Sequence, residues 1–139
     1  MAPRPDRLRF FVDESALGLG LLLARARRDV VHTGHPLIPE VPPRARDEDW
    51  FPVVAARGLV AIARDKRFRS RSPEVMAMRA AKLRVVYLTG MGNASVWDQL
   101  VRVVTQWERI EERVARGDRG PWFASVHARG VTDLRVTDE

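Results

Sequence analysis

Residues 8–15 read Leu8-Arg9-Phe10-Phe11-Val12-Asp13-Glu14-Ser15, and residues 59–69 read Leu59-Val60-Ala61-Ile62-Ala63-Arg64-Asp65-Lys66-Arg67-Phe68-Arg69. Each stretch holds a short apolar run that stops at an acid. Such runs between polar flanks suit strands buried on both faces. Asp29-Val30-Val31-His32 and Arg84-Val85-Val86-Tyr87-Leu88 repeat the pattern.

Helices fit between these strands. Ser15 predicts a cap for a helix to about Arg27, in which Gly18 and Gly20 can allow close backbone approach. Pro36, Pro39, Pro42 and Pro43 bar both helix and central strand from the next segment. Asp47 predicts the cap of a helix from Trp50 to Arg57, with Gly58 at its C-terminal turn. Pro73 opens a third helix to about Lys82. A long helix is expected from Asn93 or Ser95 to near Gly117. Trp97, Leu100, Val101, Val104, Trp107 and Val114 recur along it at helical spacing, with Val96, Val103 and Ile110 widening the stripe, which is read as core, the alternative being a partner surface. The runs Trp122 to His127 and Val131 to Val136 predict an edge hairpin. Strands that alternate with helices in this way predict a Rossmann-like α/β fold. Its central sheet is mostly parallel, of four to six strands, with helices on both faces.

The 139 residues favour one domain, spanning the whole chain. The absence of cysteine excludes disulfide scaffolds and thiolate metal sites. The longest apolar run, Ala16 to Ala24, is well short of the roughly 20 residues of a spanning helix. Residues 1–7 carry no secretory apolar segment, so a soluble cytoplasmic protein is expected. The net charge of +6 is unevenly spread. Between Arg64 and Arg84 eight cations face two acids, and the remainder of the chain is neutral. Concentrated positive charge attracts polyanions, although a solvated surface is its ordinary use.

In an open parallel sheet the carboxyl ends of the strands share one edge, where ligands bind. Asp13 and Asp65 follow two of these ends. Asp47 starts a helix running antiparallel to the strands, which brings it to the same edge. Three clustered carboxylates need a cation, and oxygen ligation favours Mg²⁺ or Mn²⁺. The basic run Lys66, Arg67, Arg69 and Arg71 begins directly beside Asp65. A metal-holding acid next to a phosphate-attracting patch is what phosphodiester hydrolysis uses. Each acid also has a plain structural use. Asp13 and Asp47 can cap helices, Glu48 and Asp49 can complement a helix dipole, and Asp65 can make a turn. His32, His35 and His127 are read as local structural residues rather than ligands.

In these same pieces the chain resembles PIN-like domains, specifically the compact VapC-type toxin ribonucleases. The resemblance rests on residues 10–15, on Asp47-Glu48-Asp49-Trp50 and on residues 63–69, and spans about residues 8–90. Glu74 and the strand Val85 to Leu88 fit it as well. It implies a three-layer PIN-type fold and a Mg²⁺- or Mn²⁺-dependent endoribonuclease. Asp13, Asp47 and Asp65 match the family's metal-binding acids, and Lys66, Arg67, Arg69 and Arg71 would hold RNA. PIN domains commonly carry a further acid on a long helical segment that is shortened and proline-rich here. By the same resemblance, Glu14 or Asp49 could supply a fourth carboxylate, through water. The resemblance also implies a cognate antitoxin over the acidic cleft and a homodimer.

Two rival readings use the same residues. A signalling receiver domain places an acidic pair after its first strand, an aspartate after its third and a threonine like Thr89 after its fourth. It also needs a lysine after a fifth strand, which is missing here. The other rival is a non-catalytic module that binds nucleic acid or an antitoxin and takes no metal.

Overall fold

The computed structural model describes residues 7–64 and 73–134. Six strands form one sheet: β1 (Phe10–Val12), β2 (Val30–His32), β3 (Val60–Arg64), β4 (Arg84–Leu88), β5 (Trp122–His127) and β6 (Gly130–Asp133). Their order is β2-β1-β3-β4-β5-β6. All neighbours are parallel except β5 and β6, which form the antiparallel edge hairpin that the sequence predicts. The helices are α1 (Leu17–Ala26), α2 (Asp47–Ala56), α3 (Pro73–Ala80), α4 (Val96–Thr105) and α5 (Trp107–Ala115).

The period of two along each strand builds two cores. Phe10, Val12, Val60, Ile62, Val86, Leu88, Ala124 and Val126 pack on one face with Leu19 and Leu23 of α1 and Val103 and Ile110 of α4 and α5. Phe11, Ala61, Ala63, Val85, Tyr87 and Phe123 pack on the other with Trp50, Phe51 and Val54 of α2 and Met78 of α3. The sheet is thus covered on both faces, as an α/β fold requires. Gly20 fits here because a Cβ on it would lie 2.9 Å from His32 Cβ and 3.1 Å from Val12 Cβ.

Three helix boundaries differ from expectation. Asp13, not Ser15, caps the first turn: its carboxylate accepts the Ser15 N–H at 3.0 Å, and a 3-10 turn (Glu14–Ala16) precedes α1. Asp47 is the first residue of α2 rather than its cap, a place taken by Arg46, whose side chain makes no capping bond. The long C-terminal helix is broken at Gln106. Thr105 Oγ1 donates back to the Val101 and Arg102 carbonyls at 2.8 and 3.2 Å, a contact that bends helices. The Gln106 side chain turns inward to donate to the Ala128 carbonyl at 3.0 Å.

The break splits the apolar stripe. Leu100, Val103, Trp107, Ile110 and Val114 pack on the core, whereas Val96, Trp97, Val101 and Val104 are exposed, Trp97 by 69%. Reading the whole stripe as core is therefore corrected: it is wider than the face that the bent pair can bury.

Candidate acidic cleft at the carboxyl edge

β1 lies between β2 and β3, and the chain leaves it in two directions. α1 returns over one face of the sheet to β2, and α2 leads over the other face to β3. The strand order therefore reverses between β1 and β3, and a crevice opens beyond their carboxyl ends. Backbone bonds fix the floor of this crevice. The Asp13 N–H donates to the Ile62 carbonyl at 3.1 Å, and the Thr33 N–H to the Val12 carbonyl at 3.2 Å.

A cleft of about 280 Å³ occupies this place, lined by Asp13, Glu14, Ser15, Thr33, Ala45, Asp47 and Trp50. Asp13 is buried, Asp47 half-buried and Glu14 exposed. Ser15 and Trp50 hold the first two acids. The Ser15 hydroxyl donates to Asp13 Oδ1, and the Trp50 indole N–H donates to Asp47 Oδ1 at 3.1 Å. Glu14 Oε1 accepts the backbone N–H of Arg44 at 3.0 Å, tying the proline-rich segment to the rim. Asp49 lies in the same turn of α2 as Asp47 but is exposed and does not line the cleft.

Asp65, Lys66, Arg67, Arg69 and Arg71 lie outside the described residues. The strand that delivers Asp65 is nevertheless anchored in the cleft. Arg64, the last residue of β3, donates its N–H to Ser15 Oγ at 3.2 Å. Ser15 thus bridges Asp13 and the end of β3, a role that its reading as a simple cap does not capture.

Glu74, an acid that fits the resemblance, lies in the first turn of α3 and belongs to the same electrostatic neighbourhood. Burial pushes the Tyr87 hydroxyl up, and the negative charges of Glu74, Asp13 and Asp47 push it further in the same direction. The phenol therefore stays protonated, and it donates to Met78 Sδ at 3.1 Å.

His32 and His35 meet edge to face with ring centroids 5.0 Å apart, outside the cleft. His32 Nδ1 bonds the Thr33 carbonyl at 2.8 Å, and His35 Nδ1 accepts the Leu37 N–H at 3.0 Å. Among the described residues no group of three histidine or carboxylate side chains could hold a metal ion. Asp13 and Asp47 still offer hard oxygen donors to one cleft. Mg²⁺ commonly takes one or two carboxylates and keeps water in its other positions. The donor chemistry therefore fits Mg²⁺ or Mn²⁺.

Fold and cleft define a doubly wound α/β domain with acids at its switch point. Receiver domains share this strand order, so the order alone does not choose between the readings. The family described as PIN like domain matches residues 8–90, more than half of the chain. The chain belongs to that family of PIN-like domains. No curated protein and no solved structure matches it. Among the described residues no helix is long and apolar enough to cross a membrane.

Proposed function

We propose that this PIN-like domain is a Mg²⁺- or Mn²⁺-dependent endoribonuclease. The observation that carries the reading is the convergence of Asp13, Glu14 and Asp47 on one cleft, beside the strand end that leads to Asp65. Asp13, Asp47 and Asp65 would hold the ion, and Glu14, which lines the same cleft, would be the further carboxylate, acting through water. Bound there, such an ion lowers the pKa of a water and neutralises charge that develops on a phosphate. Ser15 and Trp50 fix their carboxylates before any ligand arrives, which limits reorganisation during reaction. The Arg44 N–H holds Glu14 through Oε1 alone, so Oε2 would remain available to a water. Lys66, Arg67, Arg69 and Arg71 would hold the phosphates of the RNA strand.

The resemblance to VapC-type proteins in the same three motifs supports a finer reading. The protein is the toxin of a bacterial type II toxin–antitoxin pair, held inactive by an antitoxin over the acidic cleft and able to form a homodimer. Calorimetric titration with Mn²⁺ tests the site. Wild-type protein should bind the ion and Asp13→Asn should not. Folded wild-type protein that takes no Mn²⁺ would favour the non-catalytic module instead. Phosphate uptake from acetyl phosphate would favour the receiver.

A further inference from the structure

We infer that the groove between α5 and the β5–β6 hairpin binds the phosphate backbone of single-stranded RNA. The inference rests on the reading of RNA as substrate but concerns residues beyond the 8–90 family match. Arg109, Arg113 and Arg116 recur at the spacing that puts side chains on one face of a helix. They face β6 across a groove of about 390 Å³. Arg113 is spent on the fold. It is 4% exposed, bonds Asp118 and Asp133 at 2.7 Å each, and stacks 3.9 Å from the Trp122 ring centroid. Arg116 lies 3.4 Å from Asp133, so these pairs absorb the nearby acids.

Arg109 and Arg129 are left over. Both are exposed, and among the described residues neither forms an ion pair. Arg109 reaches the hairpin: a Cβ on Gly130 would sit 3.7 Å from its Cδ. His127 adds a third donor. Its Nδ1 accepts the Arg129 N–H at 3.3 Å, so the neutral ring carries its proton on Nε2. Glu112 is the one acid among the groove's lining residues. Forked guanidinium donors suit the paired non-bridging oxygens of a phosphodiester. The lining has no Trp, Tyr or Phe to anchor a folded partner, where binding energy concentrates on such residues. A repeating phosphate chain fits the groove better than a protein surface does.

The test is fluorescence anisotropy of labelled oligo(U) with the full chain in EDTA, across a salt series, so that cleavage plays no part. Arg109→Ala with Arg129→Ala should weaken binding about tenfold and lower the slope of log K against log salt by about 1.4. Arg25→Ala with Arg28→Ala, the same loss of charge on exposed positions at and after the end of α1, should keep the wild-type slope. A groove variant with the wild-type slope, equal weakening of both doubles, or no RNA binding by wild type would each overturn the inference. So would displacement of the RNA by millimolar inorganic phosphate, which would mark a site for an isolated anion. An Asp13→Asn protein that still cuts RNA would sink the nuclease reading and leave the groove result standing.

Discussion

The Ser15 hydroxyl accepts the backbone N–H of Arg64 at 3.2 Å, across 49 positions of sequence. This bond closes the switch point: the segment that carries Asp13 is fastened to the strand end that precedes Asp65. Ser15→Ala removes the hydroxyl from both the Asp13 carboxylate and the Arg64 N–H. Leaving part-buried polar groups short of a partner costs about 1–3 kcal/mol. Thermal denaturation should show a drop of several degrees, and the affinity for Mn²⁺ should fall with it. Ser15→Thr keeps the hydroxyl and should recover most of both. Equal losses in the two variants would mean that the bond is incidental.

Two helices end with the same bonding pattern and different residues. After α2, Gly58 donates to Ala55 and Leu59 to Val54, with Gly58 at φ +70°. After α3, Lys82 donates to Arg79 and Leu83 to Met78, with Lys82 at φ +58°. A side chain in this left-handed region costs roughly 1–2 kcal/mol, partly offset by the greater freedom of glycine in the unfolded chain. Lys82→Gly should therefore stabilise the protein by up to about 1 kcal/mol, and Gly58→Ala should destabilise it by a similar amount. Urea midpoints of the two variants should move in opposite directions.

The split of the apolar stripe predicts opposite fates for two tryptophans. Trp107 lies 4.9 Å from the Phe10 ring and under the Arg27 guanidinium at 4.8 Å, whereas Trp97 is exposed. Trp107→Ala should cost about 2 kcal/mol, below the full range for a wholly buried ring. Trp97→Ala should stay within about 0.5 kcal/mol of wild type. Urea denaturation of the two variants separates them, and equal costs would return Trp97 to the core.

Asp29 gives a pH dependence away from the cleft. Burial alone would raise its pKa, but hydrogen bonds and charge from Arg27 and Arg9 outweigh that and hold it below its ordinary 3.8. The folded state therefore binds this proton less readily than the unfolded chain. The resulting stability is complete above the unfolded-chain pKa and is lost as pH falls through the lower folded-state value. Asp29→Asn should flatten the acid limb of a plot of thermal midpoint against pH. A limb of unchanged steepness would assign the acid sensitivity to other carboxylates.

Much of this fold was legible because its strands are short, apolar and bounded by charge. Phe10–Val12 and Arg84–Leu88 announce themselves, and Gly58 marks a helix end. Asp13 and Asp47 share a cleft because the alternation of strand and helix leaves the chain little choice of edge. Other features depend on three-dimensional partners that spacing does not encode. The bend at Gln106 needs the Ala128 carbonyl, and the bridging role of Ser15 needs the end of β3. Arg113 looks like any surface arginine until Asp118, Asp133 and the Trp122 ring enclose it.

The central claim, an acidic cleft that cuts RNA, is tested most directly by incubating a mixed RNA pool with purified protein. Wild type, Asp13→Asn and Asp65→Asn are run with Mn²⁺ and with EDTA, each variant first shown to be folded. The account predicts cleavage by wild type with Mn²⁺, none with EDTA, and none by either variant. Cleavage that survives EDTA or either substitution would contradict it.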